Sequence, residues 1–124
     1  MALQLNAVQR LNPQTKEKKW YASPKLTGNR DLKGISRDLA EVSSLSAGDV
    51  QNVIVNFIDQ IPKWLMQGIS VKLDGLGSFR LSFSSEGVAE EKDVSVSLVK
   101  EIRIIFVADP EIKGRIQNTK INPV

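Results

Sequence analysis

The sequence predicts an α+β fold: an N-terminal β-hairpin, two helices, a three-stranded antiparallel sheet and a short final helix. Three observations carry this reading. Apolar residues recur at helical period through residues 50–65, they alternate with polar residues on either side of that stretch, and Gly and Pro mark each change of period. A chain of 124 residues, 41% hydrophobic and 25% charged, has the make-up of one small folded domain with a modest core of its own. A second chain would supply the surface that such a core lacks.

Leu3, Leu5 and Ala7, then Trp20 and Ala22, alternate around Asn12-Pro13-Gln14-Thr15, giving two strands joined by a turn. Gly28 and Gly34 separate this hairpin from the helical stretch beyond it. Ile35, Leu39 and Val42 fall at helical spacing, so a short amphipathic helix runs from Ile35 to the Ser43-Ser44 region. Ser46, with Asp49 three residues on, resembles a capping box and opens a second helix. Its stripe, Val50, Val53, Ile54, Phe57, Ile58, Ile61, Trp64 and Leu65, is wide enough to need a partner surface. Pro62 removes one hydrogen bond without ending the helix, and Gly68 stops it.

Beyond Gly68 the period becomes two. Val71 and Leu73 alternate with Lys72 and Asp74, Gly75-Leu76-Gly77 turns, and Phe79, Leu81 and Phe83 alternate with Arg80, Ser82 and Ser84. This is a second hairpin. After a polar, acidic stretch around Gly87, the residues Val94, Val96, Leu98, Ile102, Ile104 and Phe106 predict a long third strand with a break or bulge near Lys100. Asp109-Pro110 opens a last short helix carrying Ile112 and Ile116 on one face. Residues 119–124 read as a loose tail.

The absence of Cys and His removes disulfides, thiolate ligands, the commonest general base and the best nitrogen ligand for a metal. Glu90, Glu91 and Asp93 are the remaining candidates for acid–base or hard-metal chemistry. They lie in the most loop-like stretch, without apolar neighbours to raise a pKa, and read as solvated charges. Gly75-Leu76-Gly77 leads into a strand rather than a helix, so it is a tight turn and not a phosphate cradle. No catalytic residue, metal site, cofactor or small-molecule substrate is expected. No apolar run reaches membrane-spanning length and no signal-like start is present, which predicts a cytoplasmic protein.

The net charge of +3 is unevenly placed. Residues 1–40 hold eight Lys or Arg against three Asp or Glu, whereas residues 82–100 hold two against four. The basic surplus is N-terminal. Trp20 and Tyr21 beside Lys18 and Lys19 offer either base-stacking groups or the edge of a small core.

Residues 49–81, DVQNVIVNFIDQIPKWLMQGISVKLDGLGSFRL, resemble the second helix, glycine stop and first hairpin of the HU and integration host factor family of bacterial histone-like proteins. The marker is Leu65-x-x-Gly68 followed by Gly75-Leu76-Gly77-Ser78-Phe79. Phe106, followed by Ile112, Lys113 and Ile116, stands where that family places its final helix. The resemblance spans about 80 residues, and the basic hairpin, Ile61-Pro62 and Trp20-Tyr21-Ala22 are similar to an extended, Bacteroides-like branch. It implies an HU-like dimeric fold: two N-terminal helices, a three-stranded antiparallel sheet with a β-arm, and a short C-terminal helix. Three segments result: residues 1–33 a basic hairpin extension, 34–118 an HU-like DNA-binding domain, 119–124 the tail.

For function, the resemblance implies an intertwined homodimer in the nucleoid. It would bind double-stranded DNA with little sequence preference, mainly through Lys and Arg on phosphates. The residues carried over are Lys72, Arg80, Arg103, Lys113 and Arg115, with Lys18 and Lys19 on the hairpin. Residues 83–99 depart from the family arm. They carry Glu86, Glu90, Glu91 and Asp93 against Lys92 alone and hold no Pro, so a wedging proline is not carried over. The alternative is an HU-like fold kept for protein interaction or assembly, with weak or no DNA binding.

Overall fold

The computed structural model describes residues 2–123. Among the described residues nine helices and strands succeed one another: β1 (Leu3–Leu11), β2 (Lys18–Lys25), α1 (Leu32–Glu41), α2 (Ala47–Met66), β3 (Val71–Leu73), β4 (Gly77–Ser85), β5 (Val99–Ala108), α3 (Pro110–Ile116) and β6 (Ile121–Asn122). They form two three-stranded sheets, ordered β2-β1-β6 and β3-β4-β5.

The first hairpin closes through its Asn. The Asn12 side-chain oxygen accepts from the Gln14 N–H at 2.9 Å, and the Asn12 N–H donates to the Glu17 carbonyl. Within the segment expected to be a loose tail, two of the described residues form a strand. Ile121 and Asn122 pair in parallel with Leu3 and Gln4, and the Leu3 N–H donates to the Lys120 carbonyl at 2.9 Å. Sequence pattern cannot show this, because a two-residue strand has no period of its own.

Helix α1 begins at Leu32, three residues before the expected start at Ile35. Gly34 lies inside its first turn. The Asp31 carboxylate accepts from the Gly34 N–H at 2.8 Å, and this cap fixes the start despite the poor helix propensity of glycine. Ser46 caps α2 as expected, accepting from the Asp49 N–H at 3.1 Å, and Pro62 sits within the helix without ending it. At the far end Gly68 adopts φ +83°. The Gly68 N–H donates to the Leu65 carbonyl and the Ile69 N–H to the Trp64 carbonyl, the paired bonds of a Schellman stop.

In the second sheet, β4 pairs antiparallel with both β3 and β5. The register slips between Phe83 and Ser84, where Phe83 opposes Ile102 but Ser84 opposes Lys100. Glu101 is the extra residue, at φ 31°, so the bulge lies beside the expected position. The third strand is shorter than its pattern suggests. Glu91–Asp93 and Val96–Leu98 are 3-10 turns, and the strand starts only at Val99. Alternating valines do not fix a strand where no neighbouring strand pairs with them.

Gly77 is the tightest point of the sheet. With φ +151°, a Cβ added to it would overlap the Val107 carbonyl oxygen and lie 2.8 Å from two atoms of the Phe106 ring. Phe106 and Phe79 meet across the strands with ring centroids 4.8 Å apart.

One chain buries little. Among the described residues Val50, Leu65 and Val71 are the buried hydrophobic side chains, while the accessible surface is 10624 Å². A folded monomer of 13.7 kDa is expected to expose roughly 6,600 Å². The excess is on the scale of a large association interface.

Gly77→Ala is expected to destabilise the protein by about 2–4 kcal/mol, since the neighbour it meets is backbone. Gly87→Ala, which meets nothing within 4 Å, is expected to be close to neutral. Urea unfolding of the two variants side by side checks the contrast.

Candidate functional site

Strand register decides which charges stand together. Residues directly opposite each other in an antiparallel pair share a face, and residues two apart on one strand do the same. Val71, Phe79, Leu81, Phe83, Ile102, Ile104 and Phe106 therefore line one side of β3-β4-β5. Lys72, opposite Ser78, lies on the other side together with Arg80 and with Arg103, which opposes Ser82.

Lys72, Arg80 and Arg103 run diagonally across the three strands as successive neighbours, all three exposed. No acidic residue holds a paired position on this face, and none of the three takes part in an ion pair among the described residues. Like charges roughly 7–8 Å apart in water repel by about 0.5 kcal/mol per pair. An anion bridging them removes that repulsion. Ser78, Ser82 and Ser84 flank Arg80 along β4 on this side, and Ile105 and Val107 flank Arg103 along β5, with Ile105 directly opposite Arg80.

Lys100, not singled out from the sequence, joins this side because the bulge brings it opposite Ser84. Its Nζ is held at 2.9 Å by Glu86, which weakens it as a free cation. The signal was the bulge position itself, which resets the alternation.

The other expected residues are placed differently. Lys113 and Arg115 lie in the last turn of α3, where positive charge complements the helix dipole. Two positions apart on a helix, they diverge by about 200° and do not form one patch. Lys18 and Lys19 are neighbours on β2 and so face opposite ways. Lys18 shares its side with Leu11 and Trp20, whereas Lys19 shares its side with Arg10 and Tyr21. The adjacent aromatics divide in the same manner.

Asp109 ties the basic sheet to α3. One carboxylate oxygen accepts from the Glu111 N–H at 3.0 Å and the other from the Gly75 N–H at 3.4 Å, while the Asp109 N–H donates to the Leu76 carbonyl. The Glu111 bond above all holds its carboxyl below the ordinary value of 3.8 against the upward push of desolvation, with lesser help from the Gly75 bond and the charge of Lys72. Gly75-Leu76-Gly77 thus receives a side-chain cap and is a structural turn.

The arm tip contrasts with the sheet. Val94 and Val96 are 65% and 88% exposed among Glu90, Glu91 and Asp93, and Lys92 is engaged by Glu90 at 3.0 Å. Among the described residues no group of three or more His, Cys, Asp or Glu is placed to hold a metal ion, and no helix is long and apolar enough to cross a membrane.

Comparison with known proteins adds four findings. Residues 1–123 match the model of the HU-HIG family, an HU domain fused to a winged helix-turn-helix, Ig or glycine-rich motif. Integration host factor subunit alpha of Haemophilus influenzae is 33% identical over 84 residues, which cover 66% of this chain and 88% of that protein. The fold matches a Bacteroides vulgatus protein assigned as DNA-binding, with a TM-score of 0.66 and 18% identity over 99% of this chain. The chain spans about half the length of that structure, 48%. It also matches Anabaena HU crystallised with DNA, with a TM-score of 0.56 and 16% identity, over 71% of this chain and 98% of the other.

Because the folded pKa of Asp109 lies below its unfolded value, its contribution to stability is present above the unfolded pKa and disappears as pH falls through the folded one. Asp109→Asn is expected to melt below the wild type at pH 7. Thermal unfolding followed down to pH 2 is expected to show the two melting temperatures converging as the carboxylate protonates.

Proposed function

The chain belongs to the HU-HIG family, and on that premise we propose that it is a non-enzymatic, architectural DNA-binding protein that works as a homodimer at the nucleoid. The observation that carries the reading is the diagonal of Lys72, Arg80 and Arg103, with no acid at a paired position and no ion pair among the described residues, on one side of a sheet whose other side is apolar. Residues 34–118 form the DNA-binding domain in this reading, with residues 1–33 as its extension. The cations meet phosphates rather than base edges, so sequence preference is weak. Lys113 and Arg115 add contacts from α3 one at a time, according to which of them the duplex reaches.

The surface excess supports the dimer. The exposed apolar side of β4 and β5 and the open stripe of α2, with Val53, Ile58 and Trp64, are covered by the same surfaces of a second chain. Pairing apolar sides in this way leaves both basic sides turned outward.

The acidic arm favours a second reading at one place only. Glu90, Glu91 and Asp93 around exposed Val94 and Val96 disfavour a minor-groove insertion and suit contact with a basic protein surface. An HU-like fold used for protein assembly would rest on that tip.

Fluorescence anisotropy of duplex DNA titrated with the protein is expected to give micromolar binding. Its logarithm should fall linearly with the logarithm of salt concentration, by about 0.9 for each phosphate contacted. Arg80→Gln with Arg103→Gln is expected to lower that slope by about 2 without changing the melting temperature, since both side chains are exposed and unpaired among the described residues. Absence of binding at low salt would favour the assembly reading.

Obligate association makes stability depend on protein concentration. Melting temperature is expected to rise with concentration for the wild type, and Ile104→Glu, a charge placed on the apolar side, is expected to give a monomer or an unfolded chain by sedimentation.

A further inference from the structure

The N-terminal sheet is amphipathic in a way that its sequence conceals. Register places Leu3, Leu5, Leu11, Trp20 and Ile121 on one side. Arg10, Lys19, Tyr21 and Lys25 stand on the other, separated only by short polar residues and Val8. The Arg10 guanidinium lies over the Tyr21 ring, 5.9 Å from its centroid, which independently places the two on one side.

We propose that the Arg10–Lys19–Tyr21–Lys25 side of this sheet is a second phosphate-binding surface for duplex DNA, separate from the Lys72–Arg80–Arg103 row. The proposal rests on the DNA-binding reading above and extends it to residues outside the HU-like domain.

Charge argues for a polyanion. No acidic residue occupies a paired position on this side, and the nearest acid, Glu17 in the turn, reaches only Lys19, at 3.9 Å with both side chains largely exposed. That pair is worth little in water and leaves the lysine available. Arg10 and Lys19 oppose each other directly, a like-charge cross-strand pair that costs stability unless an anion sits against it.

Geometry argues for an extended ligand. Lys19 and Lys25 lie at the two ends of β2, about six residues and roughly 20 Å apart along an extended strand. The cations at its two ends therefore span about six base pairs of duplex at about 3.4 Å each. A compact anion would engage one end only.

The same register puts Lys18, though exposed, on the opposite side of the sheet, with Trp20 and Leu11. This provides an internal control one residue from the proposed contact.

The test uses the full chain and a fluorescent duplex DNA in anisotropy titrations at several salt concentrations. Arg10→Gln, Lys19→Gln and Lys25→Gln combined are expected to lower the logarithmic salt slope by about 2 to 3, and Lys18→Gln is expected to leave it unchanged. Lys25→Gln alone, at the end remote from the turn, is expected to lower it by about 1 and serves if the triple variant does not fold. A wild-type slope in the triple variant, or a loss with Lys18→Gln equal to that with Lys19→Gln, overturns the proposal. If the wild type binds no DNA, the reading of the second sheet falls and this one with it. Binding that Arg80→Gln with Arg103→Gln weakens, but that the hairpin variants do not, overturns this proposal alone.

Discussion

Successive side chains on a pleated strand leave on opposite faces, and no choice of rotamer carries one across to the other side. The two sheets of this chain are sorted by that constraint. In β3-β4-β5 it gathers Phe79, Phe83, Phe106, Ile102 and Ile104 on one side and Lys72, Arg80 and Arg103 on the other, and in β2-β1-β6 it parts Leu5, Leu11 and Trp20 from Arg10, Lys19, Tyr21 and Lys25. A slip of one residue in either hairpin would bring cations to the apolar side. The devices that set register therefore govern both what the chain can associate with and what charge it presents.

Two of these devices sit around β4. At its start, Gly77 admits the backbone of Val107 and the ring of Phe106 at a distance no side chain would allow, while Asp109 fastens the turn to α3. At its far end the Glu101 bulge resets the alternation, so that Lys100 comes to the basic side and is taken up by Glu86. The cations that take part in no ion pair among the described residues thus lie between the two devices, and the acidic arm lies beyond the second. The sheet carries positive charge on its body and negative charge toward the arm.

Features written locally in the chain could be read from the sequence. Caps at Ser46 and Asp109, the stop at Gly68 and the two hairpins all depend on residues close together in the chain, and each element was legible. The start of α1 was obscured because Gly34 reads as a breaker, whereas the Asp31 oxygen that captures its N–H is a stronger signal. Val94, Val96 and Leu98 carry the alternation of a strand but have no strand beside them. For the candidate site, the residue types were legible and their grouping was not. Adjacent Lys18 and Lys19 look like one cluster along the chain, and only the pleat divides them. Arg10 and Lys25 join Lys19 through register, which a linear reading does not supply.

The pairing of β6 with β1 joins the two ends of the chain through a two-residue ladder, Leu3 with Ile121 and Gln4 with Asn122. Closing a loop of about 118 residues costs on the order of 4 kcal/mol of chain entropy before any constant term, more than two such rungs return on their own. The ladder can persist only once the intervening helices and second sheet have already brought its ends together. The third strand of the N-terminal sheet is therefore a latch that closes last and opens first, and its hydrogen bonds track the integrity of everything folded between them.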